Sequence, residues 1–527
     1  MSLRRAVHAG LAGLTMIIVL DVGTAASAQP KAQPPEPPRV LVAMPPPTTG
    51  GKVVTVPAGG DLQAVLDAAQ PGDTIQLEAG STYTGPFTLR YKPGSSWITI
   101  QSNHLGAGFP REGTRVDPDL ADAMPKLVTR SGSVLVAASR AHHYRFIGLE
   151  IRPASGSFLY NLVQLGLAER SAGDVPHHVV FERCYLHGDL KAGTRRGIAM
   201  NGAHIAVVDS YLADFKEVGS DSQTIAGWNG PGPFKIVNNY LEAAGENVMF
   251  GGSPPAIPDL VPSDIEVRAN HLAKPLTWKH ERWSVKNLFE LKNARRVLLE
   301  GNVLEHSWVS GQTGFAILLT VRAEGGRAPW AAVDDVSIVN NVVHDTAGGV
   351  NILALDDSGP SAGAHRILIR NNLFDHVTTR LFQLLRGASD LVIEHNTAFG
   401  NYVVVFAEGE PHHRFVFRDN LVPFGAYGIL GTGAGSGSGT LQKYFPDSTV
   451  AGNVFFGGNA QTYWRLYPAG NSFVALPDVG FVNPDAGDWR LRADSQFRKR
   501  PSDGKDVGVD FDTLLAALRA NASLLRR

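Results

Sequence analysis

A short apolar strand-like run that ends in Asn, followed by another apolar residue, recurs through most of this chain. It reads FKIVNNYL at Asn239, SDIEVRANHL at Asn270, RRVLLEGNVL at Asn302 and VSIVNNVV at Asn341. It continues as RILIRNNLF at Asn372, LVIEHNTAF at Asn396, RFVFRDNLV at Asn420 and STVAGNVFF at Asn453. Weaker copies, YRFIGLEI, HVVFERCYL and HIAVVDSYL, precede them. Successive Asn are mostly 24 to 33 residues apart, and 39 at one inserted loop. Self-similarity at this period means stacked units that share one continuous core.

Strand physics selects among the stacked architectures. Each unit carries runs of Val, Ile, Leu and Phe with period two. None carries an amphipathic helix of the length that helical repeats need. Equivalent strands of successive units then pair in parallel, and the inward side chains stack. An Asn at the corner suits this, because it tolerates left-handed backbone and its amide can bond up and down the stack. The predicted fold is all-β: a right-handed parallel β-helix. DLQAVLDAAQPGDTIQLEAG reads as a short helix (Leu62, Val65, Leu66, Ala69) that covers the first coil, and FDTLLAALRA as a second helix able to cover the last. This pattern resembles the pectin-lyase-like β-helix superfamily from Val53 to about Val509, a scaffold that hosts lyases, hydrolases, esterases, epimerases and inert adhesins.

The ends add a division of the chain. Arg4 and Arg5, the apolar run Leu11 to Leu20 and Ala26-Ser27-Ala28 read as a cleavable signal over 1–28, implying a secreted or periplasmic protein. The apolar run is short of the ~20 residues of a spanning helix, and no other stretch is long enough. Residues 29–50, rich in Pro, read as an extended linker. The β-helix is assigned to 51–510 and a C-terminal helical segment to 511–527. The only cysteine, Cys184, reads as packed, so stability comes without disulfides. A net charge of −1 gives no field for nucleic acid. GTGAGSGSG (431–439) reads as a flexible loop, with no phosphate-loop signature. A monomer is expected.

A second strand follows each Asn corner, and these should also stack. Counting back from the next corner aligns Asn201, Asn229, Lys292, Arg322, Asp356 or Asp357, Arg386 and Glu408 in a polar column. Such a column suits a uronic-acid polymer. β-Elimination needs a cation on the sugar carboxylate, a base for the adjacent C–H, and a proton for the leaving oxygen. A Lys flanked by cations has a lowered pKa and can be that base. Lys292 is the candidate base, Arg322 its assistant, and Glu290 the group that orients Lys292. Arg386, Asn201, Asn229, Trp283, Trp308, His280 and Glu408 are candidate sugar contacts. Ca²⁺ is the one cofactor the residues suggest, held by Glu246 and Asp357.

FELKNARRVLLEGN followed one coil later by TVR resembles the chondroitinase B and alginate lyase family. The resemblance implies a Lys base and an Arg acid on neighbouring coils, filled by Lys292 and Arg322, beside calcium-binding acids. Asn293 follows Lys292, where that family has Ser. The predicted function is thus a polysaccharide lyase on an acidic polymer. Two alternatives stay open. One is a non-catalytic glycan-binding solenoid, in which the polar column is plain solvated surface. The other is a glycoside hydrolase using Asp356, Asp357, Glu290 and Glu408. The pairs His142-His143, His177-His178 and His412-His413 precede repeat strands and read as turn residues.

Overall fold

The computed structural model describes residues 31–47, 50–400, 403–499, 503–519, 521 and 524. The signal assigned to 1–28 lies outside the described residues. Among those described, no helix is long and apolar enough to cross a membrane.

Three long, wholly parallel sheets wrap one core, and the coils follow one another in chain order. Sheet A has 14 strands, from Val53–Val56 to Thr449–Ala451. Sheet B also has 14, from Thr82–Thr84 to Ser472–Val474, and sheet C has 12, from Phe87–Leu89 to Ile429–Gly431. This is the right-handed parallel β-helix that the repeat predicts. Inside, like residues stack coil on coil, as Phe146 on Phe181 with ring centroids 5.0 Å apart.

The Asn corners join sheet A to sheet B as a continuous ladder. The backbone N–H of Asn270 donates to Oδ1 of Asn302 at 2.9 Å, and the Nδ2 of Asn270 donates to the same oxygen at 3.0 Å. That Nδ2 also reaches the carbonyl of Ile236 at 2.8 Å. The pattern repeats to Asn453 and on to Asn471, a rung the repeat pattern did not reveal. At the other end Ser210 and Cys184 hold the same position, Cys184 N–H donating to Ser210 Oγ and Ser210 N–H to Asn239 Oδ1. Cys184 is buried, so it is a packed rung. The left-handed residue is the one before each Asn, such as Asn238, Asn340 and Asn371. The ladder Asn is therefore chosen for its amide.

The first helix, Leu62–Ala68, is capped by Asp61 and buries Leu62 and Leu66 over the first coil. The C-terminal helix, Phe511–Leu518, corrects the expectation. It covers no end but folds back on the outer face of sheet B, where Leu514 and Leu518 pack with Val303, Val342 and Leu373. A Cβ on Gly301 would lie 2.2 Å from the Ala517 carbonyl, so glycine is required where this helix crosses the corner. The last strand of sheet C is covered by a helix at Ser438–Tyr444 instead. The Gly-rich run expected to be a loop thus opens a helix, because Thr440, Leu441 and Tyr444 have apolar surface to bury.

Residues 32–47, within the Pro-rich stretch, lie extended along the outer face of sheet A, running from late coils to early ones. The N–H groups of Gln33, Glu36 and Arg39 donate to Asp390, Asp335 and Asp264, at 2.9, 3.0 and 2.8 Å. Val42 then packs on Val180 and Ala206, and Arg145 donates to the Pro45 carbonyl. Each three-residue step skips one coil. The reason is metrical: three residues of polyproline-type chain rise ~9.3 Å and two coils rise ~9.6 Å. Each of the three Asp is clamped by an Arg of the next coil: Arg414, Arg366 and Arg296.

Candidate functional site

The outer face of sheet C carries a polar network that runs across several coils. Along it, Asn161, Arg196, Gln223 and Glu246 pair in register on four consecutive coils. Arg196 Nε donates to Gln223 Oε1 at 2.8 Å, and Gln223 Nε2 donates to Glu246 Oε2 at 2.8 Å. The Arg196 guanidinium lies 5.1 Å from the Tyr160 ring and 5.3 Å from the Trp228 ring, a cation between two aromatic faces. Among the described residues no carboxylate is within ion-pair distance of Arg196. Its neighbour Arg195 pairs with Glu217 and donates to the Tyr160 hydroxyl at 2.6 Å. Tyr160 is 52% exposed. Partial burial opposes ionisation of its phenol, but hydrogen bonding to Arg196 and the charges of both arginines outweigh this and lower its pKa.

One step along, acids and ammonium groups interlock beneath the surface. Glu246 is fully buried, and burial together with the nearby charges of Glu290 and Asp221 raises its pKa. Lys286 Nζ stands 3.5 Å from Glu246 and 2.5 Å from Asp221. Glu290, also buried, accepts from Asn287 and Thr320 at 2.9 Å each. Lys292 Nζ lies 3.7 Å from Glu290. Burial pulls the Lys292 pKa down, but Glu290, Glu246 and Asp221 more than compensate and raise it. The lowered pKa expected of a Lys base is therefore reversed, because acids and not cations surround it.

The column inferred by counting back from the corners does not form. In register, Leu291 pairs with Leu319, Thr320 with Leu353 and Leu385 with Glu408, and the ladder between the first two strands ends at Leu291 and Leu319, before Lys292 and Arg322. Arg322 N–H does donate to the Lys292 carbonyl, but its guanidinium turns to Asp356 and Asp357, at 3.1 and 2.5 Å. Arg386 reaches Glu410 and the Asp356 carbonyl, and Glu408 accepts from Thr432. Asn201 and Asn229 are fully buried and bind turn N–H groups, those of Trp228 and Asn229, and of Ala256 and Ile257. They are structural brackets and cannot touch a polymer. Trp283 packs with Trp278, Val285 and Ala244, and Trp308 flanks them. Lys216 and Lys279 lie over these rings, and His280 is exposed at the end of the short helix Leu276–His280. The inserted loops are thus packed on the solenoid.

The residues do not fit Ca²⁺. Glu246 and Asp357 belong to coils three steps apart, ~14 Å, and the ammonium groups of Lys286 and Lys292 already stand against the buried acids. Tyr160, Arg196, Gln223 and Trp228 escaped the sequence reading because their coils carry the weak repeat copies. The adjacent Arg195-Arg196 pair opening a strand, with Trp in the next, was the available signal.

At the far end of sheet C a cavity of about 330 Å³ is lined by Thr379, Arg380, Phe406 and Tyr427, with Arg380 stacked 3.8 Å from the Phe406 ring centroid. Both ends of the face therefore pair an arginine with aromatic rings.

No protein-family profile matches the sequence, and no curated protein sequence is similar to it. Solved structures do resemble the chain. The catalytic unit of a thermostable GH87 α-1,3-glucanase from Streptomyces thermodiastaticus matches with a TM-score of 0.48 and 13% identity, over 82% of this chain and 68% of that one. Pectate lyase Pel9A matches with a TM-score of 0.38 and 14% identity, over 88% and 96%. A mannuronic acid specific polysaccharide family 6 lyase from human gut microbiota matches with a TM-score of 0.43 and 12% identity, over 77% and 86%. These are likenesses of fold.

Proposed function

We propose that this protein is a carbohydrate-active β-helix that cleaves an acidic polysaccharide laid along the outer face of sheet C, by β-elimination at Tyr160, Arg195 and Arg196. The observation that carries the reading is Arg196, a cation without a carboxylate partner among the described residues, set between the rings of Tyr160 and Trp228. Aromatic faces pack on sugar rings, and an arginine fork recognises a carboxylate.

The chemistry follows from that placement. A uronate carboxylate on Arg196 loses part of its negative charge, which acidifies the C5–H beside it. Tyr160, its phenol lowered by the two arginines, takes that proton as phenolate. The released electron pair forms the C4–C5 double bond, the bond from C4 to the glycosidic oxygen breaks, and that oxygen takes a proton from water. Gln223, anchored on buried Glu246, holds Arg196 in place. Lys292 and Glu290 are support beneath the face.

Glycoside hydrolysis is the second reading, favoured by Glu246, a buried acid whose pKa is raised by burial and by the nearby charge of Glu290. It requires the cover of Lys286 over these acids to open.

The test is ultraviolet absorbance with a panel of polyuronates, with and without calcium, and reducing ends assayed in parallel. Absorbance from a new C4–C5 double bond supports β-elimination. Reducing ends without it move the assignment to the buried acids, and neither signal leaves a binding solenoid.

A further inference from the structure

On the outer face of sheet A, far around the coil from Arg196, histidines stack into two short columns. His142 lies on His177 with ring centroids 4.7 Å apart, and His143 lies on His178 at 4.5 Å. The second column continues to His204 at 4.3 Å. Trp97 closes it edge-on against His143 at 5.1 Å, and Tyr91 does the same for His142 at 5.3 Å.

Register explains the stacking. His142 and His177 open neighbouring strands of sheet A and pair directly. His143, His178 and His204 each take the left-handed backbone at the following position, with φ of 59°, 55° and 52°. Within each coil this turns the two rings edge to edge. Nδ1 of His142 lies 2.7 Å from Nδ1 of His143, and Nδ1 of His177 lies 2.8 Å from Nδ1 of His178.

Two facing imidazole nitrogens at that distance share one proton. The ligating nitrogens of His142, His143 and His177 all fall within 4.8 Å of one another. Two nitrogens on one tetrahedral ion stand about 3.3 Å apart, given metal–nitrogen bonds of ~2.0 Å. A small rotation of the rings opens the pair to that span.

We propose that His142, His143 and His177, with His178 as a fourth donor, bind one late first-row divalent metal ion such as Zn²⁺, which pins two coils together. The donors are imidazoles alone, which suits Zn²⁺, Ni²⁺ and Cu²⁺ and not the oxygen-seeking Ca²⁺ or Mg²⁺. Binding needs no net proton loss, since the proton shared by a pair moves to Nε2 as Nδ1 takes the metal. Burial lowers the pKa of all four rings, with Arg140 adding to it at His142 and neighbouring imidazoles at the other three, which favours the neutral form that ligates. The site is independent of the chemistry on sheet C.

The experiment uses the tag-free full chain, stripped with chelator, dialysed against Zn²⁺ alone and counted for bound metal. One Zn²⁺ per chain is expected, bound at least tenfold more weakly by the double variant His142→Asn, His177→Asn and unchanged in His413→Ala. Circular dichroism establishes that the double variant is folded. A measurement on the unaltered protein stands beside it: the Cu²⁺-loaded chain should show electron paramagnetic resonance splitting from three or more nitrogens. No retained Zn²⁺ in the unaltered protein, equal retention by the double variant, or an oxygen-only Cu²⁺ spectrum overturns the proposal.

Discussion

Arg196 and Gln223 sit on neighbouring coils of sheet C, joined by an Nε–H···Oε1 hydrogen bond of 2.8 Å, and Gln223 is itself held by buried Glu246. Arg196, which has no carboxylate partner among the described residues, therefore takes its position from a group beneath it. Replacing Gln223 with Ala loosens Arg196 without touching substrate. KM on a cleaved polyuronate should rise about tenfold, the equivalent of one hydrogen bond to a charged group, while kcat changes less. Steady-state kinetics on the variant check this.

Lys292 has a supporting role in this account. Lys292→Met leaves Glu290 and Glu246 short of a counter-charge and should destabilise the fold by about 3 kcal/mol. Lys292→Arg should keep turnover, whereas a Lys base would lose nearly all of it. Adding Glu290→Gln to Lys292→Met should recover part of the lost stability. Urea unfolding of the three variants, with turnover measured alongside, checks this.

The strap along sheet A depends on carboxylates. Asp264, Asp335 and Asp390 all have lowered pKa values: burial opposes ionisation, but the clamping arginines and the strap N–H groups outweigh it. A lowered folded pKa gives stability that is present above the unfolded value, ~3.9 for Asp, and lost as pH falls through the folded values. The strap should therefore hold at pH 5 and above, and detach in stronger acid. Hydrogen exchange at Gln33, Glu36 and Arg39, followed between pH 6 and 3, reads this directly.

The ladder should weigh its rungs unequally. Asn302 is fully buried, and its amide serves the Asn270 N–H, the Val267 carbonyl and Asn341. Asn302→Ala should cost about 3 kcal/mol, since a buried donor and acceptor lose their partners. Asn471 is the half-exposed last rung, and Asn471→Ala should cost about 1 kcal/mol. Denaturant midpoints of the two variants give the comparison.

The solenoid was legible because its cause is periodic: Val, Ile and Phe in short strands, then an Asn at each corner from Asn239 to Asn453. The helix over the first coil was legible for the same reason, with Asp61, Leu62 and Leu66 in plain amphipathic order. What the strands hold on their outer faces was not. Lys292 and Arg322 are adjacent along the stack as expected, but the register of these sheet C strands ends before them, at Leu291 and Leu319, and their side chains turn to different partners, Glu290 for the one and Asp356 and Asp357 for the other. Glu246, Gln223 and Arg196 meet only through that register. The Pro-rich stretch was legible as extended chain, but its match to every second coil depends on Asp264, Asp335 and Asp390, hundreds of residues away.

The most direct test of the central claim is the rate of C4–C5 double-bond formation on a polyuronate, followed by ultraviolet absorbance against pH for the unaltered protein, Tyr160→Phe and Arg196→Gln. The unaltered protein should show a rate that rises with pH through a value below the ordinary ~10 of tyrosine. Tyr160→Phe should lose at least 10²-fold, the low end for a general base, and with it that rising limb, and Arg196→Gln should lose a comparable factor. Full activity in both variants, with the pH profile unchanged, would contradict the assignment of the reacting subsite to this end of sheet C.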